Sequence, residues 1–186
     1  RLALAGHTML RGDLDEALNL YEQGLDALRE PGEIDIQEAR ERQDLLNINS
    51  WNFGCGLLQS QELVRGWQLY EYGLRTPANG KQRWQRALRK PFPASALPIW
   101  RGGSLAGKKL LLLEEQAIGD VMMFLTLLPS LIEEAASIDL MLSERLVPIY
   151  RRSLGNSVTI WTHAEARKGG FVPQDYDFQS PLGSIC

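Results

Sequence analysis

Hydrophobic residues in the first part of the chain recur at helical spacing. Leu2, Leu4 and Leu10 precede Gly12-Asp13, and Leu14, Ala17, Leu18, Tyr21, Leu25 and Leu28 follow on one helical face. Gly12 ends the first helix, where a left-handed residue suits glycine. Asp13 with Glu16 three residues on has the form of a capping box, and Pro31-Gly32 closes the hairpin. The pattern changes at Lys108. Leu110 to Leu113 are apolar on both faces, as a strand inside a parallel sheet must be. Glu114, Glu115 and Gln116 end that run, and Ala117-Ile118-Gly119-Asp120 makes a short turn. Val121, Phe124, Leu125, Leu128 and Ile132 then mark one face of a helix, with Asp120 at its N-cap. Strands over Ile138–Leu142 and Val158–Thr162 follow, joined by a helix over Glu144–Leu154 that Ser143 caps. Three strands joined by helices predict an incomplete parallel sheet with right-handed crossovers. Ligands gather outside the carboxyl ends of such strands, so the turn Ala117–Asp120 is the first candidate site.

The helical part contains an internal repeat. Leu20-Tyr21-Glu22-Gln23-Gly24-Leu25 returns 49 residues on as Leu69-Tyr70-Glu71-Tyr72-Gly73-Leu74 (Tyr21 against Tyr70). Ala17 matches Gly66, Leu14 matches Leu63, and Asp13 matches Glu62. Small residues a turn either side of an aromatic let a neighbouring helix approach while the tyrosine fills the gap. This resembles the tetratricopeptide repeat, whose usual period is about 34 residues. The additional residues fall at Glu33–Asp44, read as a lengthened helix or an exposed charged arm. Gln61 stands where the pattern has glycine, and Arg1 where it has its first aromatic.

Composition narrows the function classes. A net charge of −3 over 186 residues gives no general affinity for nucleic acid or anionic membrane. The basic run Lys81–Lys90 around Trp84 is read as a short helix with solvated charges rather than a phosphate clamp. Two cysteines, Cys55 and Cys186, have no metal spacing and fit a reducing, cytoplasmic setting. The longest apolar segment, Val121–Ile132, is too short to span a bilayer. No metal-ligand cluster or G-x-G-x-x-G loop occurs. His7 reads as a solvent-edge histidine, and His163 follows a strand without a partner motif. Trp51, Trp67 and Trp161 sit at core spacings.

Taken in order, further marks run along nearly the whole chain. They are Gly66-Trp67 with Tyr70-Glu71, Pro98 with Trp100, and Leu105 with Gly107-Lys108. Glu115-Gln116 with Gly119-Asp120 and then Leu127-Leu128-Pro129 continue the series. Tyr176-Asp177-Phe178 and Pro181-Leu182-Gly183-Ser184 close it. This order resembles bacterial tetratricopeptide-repeat proteins with a heptosyltransferase-like glycosyltransferase domain. Ala117 stands where that family usually has glycine.

The resemblance implies an α + α/β chain. Tetratricopeptide-like hairpins occupy 1–75, a basic Pro-rich connector 76–107, and an incomplete Rossmann-like domain, half of a GT-B fold, 108–186. It implies transfer of a sugar from a nucleotide-sugar donor to the hydroxyl of a glycan or protein acceptor. Asp120 would be the catalytic base, with Gln116 and Gly119 at the substrate, and no metal or cofactor is called for. The chain begins at Arg1 and would be an amino-terminal fragment, inactive alone because the donor domain is missing. The alternative is a non-catalytic scaffold that binds a protein partner on the repeats.

Overall fold

The computed structural model describes residues 1–30, 32–75, 86 and 92–186. The chain forms two compact units, Arg1–Arg86 and Ala87–Cys186. Most of the basic run around Trp84, with Leu88, lies outside the described residues, as does Pro31.

The first unit is helical: α1 (Leu2–Leu10), α2 (Leu14–Arg29), α3 (Ile36–Gln59) and α4 (Leu63–Tyr70), the last continued by a tight turn over Glu71–Leu74. The segment expected as insertion or arm is the front of a lengthened α3, capped by Asp35, whose carboxylate accepts from Glu38 N at 2.8 Å. The two hairpins repeat one another in backbone detail. Gly12 has φ 91° and Gln61, at the equivalent position, φ 67°. Asp13 N donates to Thr8 O at 3.2 Å, and Glu62 N donates to Leu57 O at 2.9 Å. Gln61 thus takes the left-handed conformation that glycine adopts at lower cost. One expectation fails here: Asp13 occupies the N-cap, but its side chain makes no capping bond. Its ψ of 70° lies outside the extended region that N-cap residues typically adopt.

Tyr21, Leu25, Phe53, Leu57 and Ala5 form the core of this unit, with Tyr21 and Phe53 rings stacked 6.0 Å apart. Burial raises the Tyr21 phenol above its ordinary pKa. The guanidinium of Arg86 is buried 2.7 Å from Glu71 Oε1 and lies 4.5 Å over the Tyr70 ring.

The second unit is a four-stranded parallel sheet in the order β3-β2-β1-β4. Its elements are β1 (Lys109–Leu113), α5 (Ile118–Phe124), α6 (Leu128–Glu134), β2 (Ser137–Leu142), α7 (Val147–Leu154), β3 (Thr159–Thr162), α8 (His163–Lys168) and β4 (Phe178–Pro181). Leu110 to Leu113 are all buried, each contributing about 1.5–3 kcal/mol of hydrophobic stabilisation. Leu111 and Leu113 pack with Met141 and Leu97 on one face of the sheet. Val121, Phe124, Leu125 and Leu128 are buried as their spacing predicts. The helix is interrupted by a tight turn at Leu125–Leu127, because Pro129 has no N–H to continue the ladder.

Three features correct the sequence reading. The sheet has a fourth strand, β4, paired with β1. The helix expected from Glu144 starts at Val147, and Ser143 does not cap it. Pro148 in its first turn lacks an N–H and its ring would collide with the Glu144 carbonyl. The segment after β3 is helical, with Thr162 and Glu165 forming a reciprocal capping box at 3.0 and 2.8 Å. That backbone bond, with the Thr162 hydroxyl, holds the Glu165 carboxyl below its usual range.

Two polar fixtures bind the loops to this sheet. Buried Gln179 donates to the carbonyls of Phe92 and Leu97, each at 2.7 Å, and accepts from Phe92 N at 3.1 Å. Ile99 of the Pro98-Ile99-Trp100 segment bridges to Gln179, extending the sheet beyond β4. Across the sheet face, Tyr176 OH donates to Asp139 Oδ2 at 2.5 Å, and Trp161 Nε1 donates to the same hydroxyl at 3.1 Å. Burial first, and then Asp139, push the Tyr176 phenol far above its ordinary value.

Candidate functional site

Strand β1 is followed by β2 on one side, whereas the chain returns after β3 to lay β4 on the other. The carboxyl ends of β1 and β4 therefore flank the topological switch point, where open α/β sheets bind ligands. The turn Gln116–Asp120 leaves β1 at this point, and Leu182–Ser184 leaves β4 beside it. Helix α5 touches the Leu182–Ser184 turn, so the two loops meet.

Two buried carboxylates hold the strand ends. Glu114 Oε2 accepts from Ser143 N at the exit of β2. Glu115 Oε1 accepts from Gly183 N, 2.6 Å away, at the exit of β4. Both residues are buried, Glu115 completely. Charge-assisted bonds to backbone N–H groups are short and strong, which offsets part of the cost of removing carboxylates from water.

Between this anchor and α5 the backbone takes an unusual path. Gln116 has φ 59°, in the left-handed region that glutamine seldom occupies. Such conformations store strain and cluster at functional sites. Ala117 is extended at φ −101°, so no glycine is required there.

Asp120 is not the N-cap. That position belongs to Ala117, and Asp120 lies three residues inside the helix, its Oδ2 accepting from Ala117 N at 3.0 Å. The Ala117 methyl can return no bond, so only this half of a capping box exists. The displacement arises because α5 begins at Ile118, before the apolar stripe does. Asp120 is half-buried, and its Oδ1 has no protein partner among the described residues.

Gly119 is exposed, its φ is not positive, and a Cβ built on it would meet nothing within 4 Å. Neither packing nor backbone conformation requires glycine there. The three candidates Gln116, Gly119 and Asp120 thus share one turn: a strained residue, an open space and a half-engaged carboxylate.

The other candidates are on other elements. His7 is exposed on α1, in the other unit. His163 is half-buried at the start of α8, two strands from β1 and so about 10 Å away by strand spacing. Sequence reasoning gave Glu114 no role and Gly183 none beyond a family mark; their contacts run between segments 29 and 68 residues apart. Among the described residues, no group of three or more His, Cys, Asp or Glu is placed to hold a metal ion. No helix among them is long and apolar enough to cross a membrane.

No family model matches the chain, and no solved structure matches it. Over 100 residues, 52% of this chain, it is 29% identical to Protein FlbA of Caulobacter vibrioides. The matching stretch spans 15% of that protein's length, so the likeness covers a part of each chain and leaves the family open.

Proposed function

We propose that this chain is the acceptor-side part of a glycosyltransferase. Its parallel sheet would be half of a GT-B fold, and its helical hairpins tetratricopeptide-like repeats that present a glycan or protein acceptor. A nucleotide-sugar would be the donor, held by groups outside this chain. The observation that carries the reading is Asp120. Its carboxylate stands at the switch point with Oδ2 fixed by Ala117 N, Oδ1 without a protein partner among the described residues, and open space over Gly119.

An acceptor hydroxyl becomes a competent nucleophile when a carboxylate removes its proton as it attacks. In the proposed step the acceptor oxygen bonds to the anomeric carbon and the bond from that carbon to the diphosphate breaks. The electron pair leaves with the diphosphate, and the proton passes to Asp120 Oδ1. Oδ2 stays bonded to Ala117 N, so the base is held in place while it works. Gln116 and Gly119 border the acceptor: the first through its fixed backbone path, the second by giving room for close approach.

The test is turnover of a nucleotide-sugar panel spanning the uridine, guanosine, adenosine and cytidine series by the gene product that carries this chain. Sugar transfer or slow donor hydrolysis supports the reading. Absence of both across the panel contradicts it and favours the scaffold reading. That second reading draws on Leu63 and Val64, which leave 55% and 76% of their surface exposed at the start of α4.

A further inference from the structure

Glu115 is a charged side chain where the sheet gains nothing from charge alone. It lies two residues beyond the last of the four leucines of β1, after Glu114, and its carboxylate is fully buried. An apolar residue would fill the same volume without the desolvation cost of a carboxylate. What the carboxylate supplies is direction: an acceptor placed 2.6 Å from Gly183 N, across 68 residues of sequence. Glu114 does the same towards Ser143 N on the opposite flank. The exits of β2, β1 and β4 are thereby bonded into one row.

The next residues carry that constraint to Asp120. Gln116 is locked at φ 59°, Ala117 N is held by Asp120 Oδ2 at 3.0 Å, and α5 packs on the turn that Gly183 belongs to. Two of the residues between the Glu115 anchor and Asp120 are thereby constrained, Gln116 in its backbone path and Ala117 through its N–H. From this juxtaposition we infer that Glu115 is a positioning residue for Asp120, acting through the backbone of Gly183 and the Gln116–Ala117 turn. The inference rests on the transferase reading for its catalytic meaning. Its structural content, a turn registered by one buried acceptor, stands without it.

The first experiment needs no substrate. Amide hydrogen exchange is followed residue by residue in this chain, in Glu115→Ala and in Glu115→Gln. In Glu115→Ala, exchange at Gly183, Ala117 and Val121 rises about tenfold to hundredfold, as loss of a charge-assisted hydrogen bond implies. Exchange at Leu140 and Ile160 stays as in the parent. Glu115→Gln keeps an amide oxygen at the acceptor position and recovers part of the lost protection at all three sites, a neutral acceptor being weaker than a carboxylate. Unchanged exchange at Gly183 and Ala117, or an equal rise at Leu140 and Ile160, overturns the positioning role. Where Glu115→Ala does not fold, Glu115→Asp, one methylene too short to reach Gly183, takes its place in the same comparison.

The second readout is turnover of the nucleotide-sugar panel by the gene product. Glu115→Ala lowers kcat about tenfold or more with the donor KM unchanged, and Glu115→Gln recovers it. A kcat that stays constant while the turn loosens overturns the role as well. A parent protein that turns over no nucleotide-sugar sinks the transferase reading instead, and the exchange result still decides whether Glu115 registers the turn.

Discussion

Glycine serves opposite purposes in the two units. Where helices of the first unit meet, the space of its missing side chain is filled by neighbours. A Cβ on Gly54 would meet Gly66 O and Tyr70 N at 2.9 Å, and one on Gly73 would meet the Trp51 ring at 2.4 Å. There glycine lets helix backbones and large aromatic rings touch. At the switch point, a Cβ on Gly119 would meet nothing within 4 Å. The same residue type marks close packing in one place and empty space in the other. Identity in sequence does not separate these uses; the surroundings do.

That contrast makes predictions, and the largest concerns Gly54. Gly54→Ala drives a methyl into two backbone groups that cannot rotate away, and should cost about 1–3 kcal/mol, read by urea denaturation of the helical signal. Gly119→Ala should be neutral or stabilise by up to about 1 kcal/mol, since alanine is the better helix former and has room. In the gene product the same methyl would stand where the acceptor approaches, and turnover should fall. A Gly119→Ala protein that loses stability as Gly54→Ala does would erase the distinction between the two glycines.

The smallest effect is a pH dependence confined to the α/β unit. Backbone and side-chain bonds hold Asp177, at Lys109 and Lys108, and Glu165, at Thr162, below the usual carboxylate range. Depressed folded values mean that their contribution is complete above about pH 4 and is lost as pH falls through the lower folded values. Both groups are exposed enough that screening keeps the effect small. The thermal midpoint of the parent should therefore drop more steeply below pH 4 than that of Asp177→Asn. Parallel curves would remove Asp177 from the account.

Where a signal is local, the sequence was readable. The four leucines of β1, the stripe from Val121 and the 49-residue echo of Tyr21 in Tyr70 each depend on neighbours along the chain, and each is found in the fold. The fourth strand was not readable. Its core is Gln179-Ser180-Pro181, and the polar Gln179 is buried there because it is satisfied by Phe92 and Leu97 from far earlier in the chain. Helix α8 did carry a signal, Thr162 and Glu165 at capping-box spacing, which its brevity masked. At the candidate site, the grouping of Gln116, Gly119 and Asp120 needed only sequence adjacency. The left-handed Gln116 and the Glu115–Gly183 bond did not show, since the first contradicts residue preference and the second is long-range.

The central claim is that Asp120 works as a base rather than only as a helix brace, and Asp120→Asn separates the two. Asparagine keeps an oxygen that can accept from Ala117 N, so the brace survives, but it cannot take a proton from an acceptor hydroxyl. The measurement is kcat for nucleotide-sugar turnover by the gene product, taken beside the thermal midpoint of the same variant. The account predicts a fall of about 100-fold or more in kcat with the midpoint within a few degrees of the parent. Turnover that survives the substitution, or that fails only together with folding, would contradict it.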